Sequence, residues 1–244
     1  MSTRRRIIDP SVSSAKEELT VSGDNLHYLR NVLRVKEGND VEVLDGKGGV
    51  YMGVIKSVGK KELAIMLLRR ETPDIEPSVN IHLLQPLLKG EKMDLVIQKT
   101  TELGIRGIIP VVTEHSVPRG TRKIDHWRKV AMEAVRQCGR TAVPEVEDVM
   151  GLEEAIGLLP EEAQKYVFHE KGGKNLGDAV VKKESKKSSI FLLTGPEGGL
   201  SEREVNMSVS SGFEPVNLGR RILRAETATI VAVTLLQFVL GELG

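Results

Sequence analysis

The chain has 244 residues, of which 28% are charged and 40% hydrophobic, with a single cysteine and a formal net charge of +1. These values exclude a disulfide framework, a multi-cysteine zinc or iron–sulfur site and a strongly basic nucleic-acid coat protein. The longest apolar run, residues 230–240, is about half of the ~20 residues a membrane span needs, and the opening MSTRRRIIDP lacks the apolar stretch of a signal peptide, so a cytoplasmic protein is expected.

The sequence reads as two parts. Residues 71–78, ETPDIEPS, hold two prolines and three acids and differ in composition from both flanks. A domain of residues 1–72 and another of 73–244 are therefore expected. Before the seam, Val41 and Val43 alternate with charges and Asp45-Gly46 opens a turn. Val50, Met52 and Val54 alternate next, residues 59–61 form a second turn, and Leu63, Ile65 and Leu67 alternate again. Short alternating strands with glycine turns point to a small β-barrel.

After the seam the period changes. Residues 79–88 read as a strand. Met93, Val96, Ile97, Thr100 and Leu103 then recur at helical spacing, with Gly104 as a stop. Residues 107–112 read as a strand. Trp127, Val130, Ala131, Ala134, Val135 and Cys138 form one helical stripe, which places Cys138 in the core. Further strands are expected at 166–169, 190–194 and 216–218, and helices at 152–159, 176–184, 202–211 and 226–241. This alternation describes an α/β domain with a parallel sheet covered on both faces. The lysine-rich 182–187 reads as a solvated helix end.

The chain contains no P-loop, no G-x-G-x-x-G after a strand, no G-x-S-x-G and no metal-ligand spacing among its five histidines. Four segments can carry chemistry. The first is TGPEGGLS, residues 194–201, at a strand-to-helix junction. Bare backbone there lets a ligand approach closely, and Ser201 with Glu204 forms a capping box. The same pattern fits a stiff turn. With no Lys or Arg in the loop, a neutral or cationic ligand suits it better than a phosphate. The second, NLGRRILRAETAT at 217–229, gathers Arg220, Arg221 and Arg224 beside Glu226, which reads as an anion site or a salt-bridged helix start. The third, residues 85–104, places Lys89 and Lys92 around the first turn of a helix. The fourth is a basic stripe of Arg119, Arg122, Lys123, Arg128, Lys129, Arg136 and Arg140, either a solvated face or a phosphate-contacting surface, to which Arg4, Arg5 and Arg6 add charge. His169 and Glu170 end a strand and read as surface-polar or site-lining.

Taken together, residues 85–104, the triplet Glu114-His115-Ser116, residues 127–140, GPEGG at 195–199 and LGRRILRAETA at 218–228 resemble one family. This is the bacterial 16S ribosomal RNA (uridine-N3) methyltransferases of the SPOUT superfamily. The resemblance implies a parallel-sheet domain with a deep trefoil knot, preceded by a PUA-like barrel that binds RNA, and a homodimer acting on 16S ribosomal RNA or the small ribosomal subunit, with no metal. It also implies S-adenosylmethionine as cofactor, held by Thr194, Gly195, Glu197, Gly198 and Gly199 and by Leu218, Gly219, Ile222, Leu223 and Arg224. His115 stands where Arg is usual in the triplet, and Leu200 where Phe is usual after GPEGG.

Uracil N3 is a poor nucleophile while protonated. Arg224 is therefore expected to stabilise the developing anion, and Glu226, with Glu102 as rival, to take the proton. Arg4, Arg5, Arg6, Arg30, Arg34, Arg128 and Arg136 are expected to hold the RNA backbone. Two other readings stay open: the same fold acting on a different RNA position, and a non-catalytic RNA-binding ribosome-assembly protein.

Overall fold

The computed structural model describes residues 5–117, 121–169, 172–180 and 189–243. The chain forms two compact units: one runs to Glu76 and takes in Val135–Val143, and the other holds Pro77–Ala134 and Pro144 onward. Arg4, Arg119, Glu170 and the lysine-rich 182–187 lie outside the described residues.

The first unit contains β1 (Arg6–Ile8), β2 (Glu18–Val21), α1 (Gly23–His27) continuing into a π-helical turn (Tyr28–Val32), β3 (Asp40–Leu44), β4 (Val50–Val58) and β5 (Leu63–Glu71). They form one sheet in the order β1-β3-β4-β5-β2. The two expected hairpins are there: β3 with β4 and β4 with β5 pair antiparallel, and two register shifts in β4 bend that strand. At the first turn Asp45 Oδ1 accepts the N–H groups of Lys47 at 2.7 Å and Gly49 at 2.9 Å. The core joins Ile7, Leu29, Val41, Val43, Leu63 and Ile65.

One face differs from the sequence pattern. Val50, Met52 and Val54 alternate, yet Tyr51 and Ile55 are the β4 residues in that core. Val50 and Met52 instead join Ile8, Leu44, Val135 and Val143 in a second cluster. The reason is residues 135–143, which supply this unit with a second apolar contact surface. Ala142 bridges to Lys47, Val143 N–H donates to Gly46 O at 2.9 Å, and the Arg136 guanidinium lies 3.5 Å from the centre of the Tyr28 ring. Glu76 closes the arrangement by accepting from Arg140 Nε at 3.0 Å, Thr141 N–H at 2.7 Å and Ala142 N–H at 3.0 Å. Cys138 is exposed rather than in the core, because the last turn of its helix packs through Val135.

The second unit contains β6 (Asn80–Pro86), α2 (Lys92–Glu102), β7 (Gly107–Val112), α3 (Ile124–Cys138, its end belonging to the first unit), β8 (Glu145–Val146), β9 (Met150–Gly151) and α4 (Leu152–Gly157). There follow β10 (Gln164–Phe168), β11 (Lys174–Asn175), α5 (Leu176–Ala179), β12 (Ser189–Leu193), α6 (Glu202–Ser210), β13 (Glu214–Asn217) and α7 (Ala225–Leu240). The strand order is β11-β13-β10-β12-β6-β7-β8, with β9 also on β7, and the pairings are parallel.

Strand period two splits the side chains cleanly. Leu83, Ile108, Tyr166, Ile190 and Leu192 face α2, α3 and α7, while Leu84, Val111, Val167, Phe191 and Leu193 face α4 and α6. Trp127 packs in the first of these layers, and its indole N–H donates to Asp94 at 3.0 Å. Among the described residues, no helix is long and apolar enough to cross a membrane.

Burial pushes the Glu76 carboxyl up, but the Arg140 guanidinium and the two backbone N–H groups more than offset this, so its pKa lies below the ordinary 4.5. Its stabilisation is therefore complete above 4.5 and is lost as pH falls through the folded-state value. Glu76→Gln should cost about 1–2 kcal/mol at neutral pH, allowing for the exposed part of the group. Urea denaturation of both proteins across pH checks this: the difference should shrink below pH 4.5.

Candidate functional site

Parallel strands deliver their following loops to one edge of a sheet, where the ends of helices and bare backbone meet. In the second unit that edge holds a cavity of about 640 Å³. Its walls are the 195–200 loop after β12 and the 218–225 loop after β13, with Lys92 from the start of α2 and His169 from the end of β10. The two glycine- and arginine-bearing motifs singled out in the sequence thus face one space. Of the ten residues expected in the cofactor loops, Thr194 alone is absent from the wall. It is fully buried below it.

The 195–199 loop is held from outside. A Cβ on Gly198 would lie 2.9 Å from His115 Cβ, so only glycine fits there without movement. His115 Nδ1 also donates to Gly199 O at 3.1 Å, which sets its tautomer. His115 therefore supports this loop, and Leu200, the other departure, is buried with Leu84, Val111 and Phe213. The capping box is formed: Ser201 Oγ accepts Glu204 N–H at 3.2 Å, and Glu204 accepts Ser201 N–H at 2.9 Å. The same carboxylate accepts Glu114 N–H at 2.8 Å, so the triplet and the loop share one anchor. In the other wall Gly219 has φ +99°, a backbone conformation that favours glycine.

Beneath the wall runs a buried polar chain. Thr229 Oγ1 lies 2.9 Å from Thr194 Oγ1, 3.0 Å from Gln85 Oε1 and 3.1 Å from Ala225 O. Carbonyl oxygens only accept, so Thr229 donates towards Gln85 and Ala225, which leaves Thr194 to donate to Thr229. Gln85 Nε2 then donates to Pro86 O at 2.8 Å. All three side chains are essentially inaccessible to solvent. The chain joins the ends of β6 and β12 to the first turns of α7.

On the solvent side, Lys92 Nζ lies 3.0 Å from Glu197 Oε1 and 3.6 Å from Glu226 Oε2. Glu197 also accepts Lys89 N–H at 3.1 Å. Burial raises the Glu197 carboxyl, yet hydrogen bonds from its own backbone, Lys89 and Lys92 bring it below the ordinary range. The hydrogen bond to Glu197 raises the Lys92 ammonium, so this lysine stays charged at neutral pH. Single-sequence reading missed this cluster and the threonine–glutamine chain, since their members lie far apart in the sequence and share no spacing.

Other expected residues lie elsewhere. Glu102 is paired with Lys99 at 2.9 Å, ten positions along α2 from Lys92 and thus about 15 Å away along the helix, and it does not line the cavity. Arg6 is buried and donates from Nε to Glu42 at 2.7 Å, so its guanidinium is not available to an RNA backbone. Arg136 packs on Tyr28 within the first unit, and Arg140 is buried against Glu76, so the expected basic stripe is not a continuous solvated face. Arg128 is exposed and paired with Asp148 at 3.0 Å. Arg30 is exposed and donates to Lys60 O at 3.1 Å. Exposed Arg34 has φ +50°, the one non-glycine positive φ among the described residues. Arg5 is partly exposed.

Residues 75–237 match the family described as RNA methyltransferase domain, and residues 21–67 the family described as RNA methyltransferase PUA domain. The chain is 32% identical to ribosomal RNA small subunit methyltransferase E of Buchnera aphidicola (subsp. Acyrthosiphon pisum), over 91% of this chain and 88% of that one. It is 29% identical to the Bacillus subtilis protein of the same name, over 90% and 89%. The crystal structure of ribosomal RNA small subunit methyltransferase E from Neisseria gonorrhoeae bound to S-adenosyl methionine superposes with a TM-score of 0.90, at 32% identity, over 97% of this chain and 98% of that one.

Thr229→Val should leave the Thr194 hydroxyl and Gln85 Oε1 without a partner in a buried place. It is expected to lower stability by about 1–3 kcal/mol. Denaturant titration checks this: the midpoint should fall with the slope unchanged.

Proposed function

As a member of the RNA methyltransferase family that includes the ribosomal RNA small subunit methyltransferases E, this chain, we propose, transfers a methyl group from S-adenosylmethionine to N3 of a uridine in 16S ribosomal RNA. The observation that carries this reading is the cavity itself, in which the 195–199 and 218–224 loops form facing walls.

The wall suits such a cofactor. The GPEGG side offers glycine backbone for close approach of a ligand and carries Glu202 and the Lys92-paired Glu197, while the facing loop brings Arg220, Arg221 and Arg224. The bound cofactor supplies an electrophilic methyl group on a sulfonium. Gly195, Glu197, Gly198 and Gly199, with Leu218, Gly219, Ile222, Leu223 and Arg224, hold it, and Thr194 fixes the loop from below. Arg224, exposed at the cavity, stabilises negative charge on the uracil. Glu226, buried at the start of α7 beside Lys92, accepts the N3 proton in this proposal, and a general base contributes about 10²–10⁴-fold. N3 lies on the Watson–Crick edge, so the target uridine is unpaired or turned out of its stack.

The remaining parts of the proposal follow. The PUA-like unit and exposed Arg30, Arg34 and Arg128 bind RNA. The protein acts in the cytoplasm as a homodimer, whose second copy covers Ile222, 83% exposed, and Phe238, 64% exposed. The sheet domain carries the trefoil knot, and the two cavity loops belong to it.

Calorimetric titration of the ligand-free protein with S-adenosylhomocysteine should show micromolar binding, lost in Gly198→Arg. No binding by the wild type would leave the RNA-binding assembly protein. Nucleoside analysis of small-subunit RNA after reaction should show 3-methyluridine, and a different methylated nucleoside would move the target position. Glu226→Gln should bind S-adenosylhomocysteine normally and lose about 10²-fold or more in kcat.

A further inference from the structure

Lys92 is the first residue of α2, where unpaired backbone N–H groups and the helix dipole disfavour a cation. An ammonium there is opposed by its own helix. Two carboxylates from separate segments offset that cost: Glu197 of the 195–199 loop at 3.0 Å and Glu226 of α7 at 3.6 Å. For Glu226 the contact matters more. Its Oε2 is enclosed and makes no hydrogen bond, so among the described residues Lys92 is the counter-charge beside it. The hydrogen bond from Lys89 N–H ties Glu197 to the same turn. Three segments that share no sequence proximity are thus pinned at one side chain, which itself forms part of the cavity wall.

We propose that Lys92 is the positioning residue of this site: one ammonium sets both the loop that holds the cofactor and the carboxylate that takes the proton. The inference rests on the proposed roles of the 195–199 loop and of Glu226. It makes Lys92 the place where cofactor binding and acceptor chemistry are joined. Removing Glu197 leaves the ammonium on Glu226, and removing Glu226 leaves it on Glu197. Only loss of Lys92 removes the ammonium from both, with Glu197 then held by Lys89 N–H alone of the two.

This predicts a pattern across four variants of the full-length protein. Affinity is read by calorimetry with S-adenosylhomocysteine, and kcat with unmethylated small subunits as substrate. Glu197→Gln should weaken affinity about tenfold, and Glu226→Gln should lower kcat with affinity unchanged. Lys92→Met should do both, each by about tenfold or more, while Lys92→Arg, whose fork can reach two carboxylates, should recover most of both. Thermal melting of each variant identifies simple unfolding, and the Arg variant keeps the test decisive if Lys92→Met folds poorly. The proposal is overturned if Lys92→Met changes one quantity and not the other, or if Lys92→Arg is no better than Met. Retention of full kcat by Glu226→Gln would instead overturn the base assignment, and lack of S-adenosylhomocysteine binding by the wild type the cofactor reading.

Discussion

The hydroxyl–amide chain from Thr194 through Thr229 to Gln85 sets what the rest of the site can do. A strand end can place a loop accurately only if the end itself is fixed, and apolar packing alone leaves several close alternatives. A buried donor that must find one acceptor removes those alternatives, because any other arrangement strands a polar group away from water. Here one threonine of α7 satisfies Gln85 near the end of β6 and Thr194 just beyond β12, two neighbouring strands. The helix start, the GPEGG loop and the turn before α2 are therefore registered against each other before any ligand arrives. Preorganisation of that kind is what an in-line transfer between two bound partners needs.

Above this buried layer the site changes character. The ionic contacts of Lys92 are partly open to water, adjustable and salt-sensitive, and they act on the same three segments. The hydroxyl chain gives position, and the ion cluster gives charge. His115 contributes a third kind of support, a steric one, by occupying the space a side chain at residue 198 would need.

Local periodicity made much of the sheet domain readable. Residues 107–112 alternate under the constraint that both faces of a parallel strand are buried, and α2 shows a clean apolar stripe closed by Gly104 at φ +90°. The two wall segments stood out as glycine- and arginine-bearing junctions, but the 194–201 pattern fitted a stiff turn equally well, and it was the family resemblance that implied cofactor loops. Failures came where one element serves two neighbours. The stripe of α3 continues to Cys138, yet the apolar contact in its last turn is made by Val135 and the cysteine faces solvent. The β4 alternation is real, but both faces of that strand meet apolar partners, so the pattern did not say which face is the barrel core. Charge was least legible. Arg6, Arg136 and Arg140 look like surface cations in a composition count, and each is engaged by Glu42, Tyr28 or Glu76.

The part played by residues 135–143 has a consequence for how the protein is made. The first unit is synthesised first, but Ile8, Leu44 and Val50 meet Val135 only after the start of the second unit and most of α3 have been translated. Until then a nascent β-sheet presents an incomplete apolar surface while the chain grows. Its completion closes a loop far longer than any hairpin, which raises contact order and slows the final step. The N-terminal sheet is thus first to be synthesised and late to be finished: its main core draws on residues 7–65 alone, while the face of Ile8, Leu44 and Val50 stays uncovered until Val135 arrives.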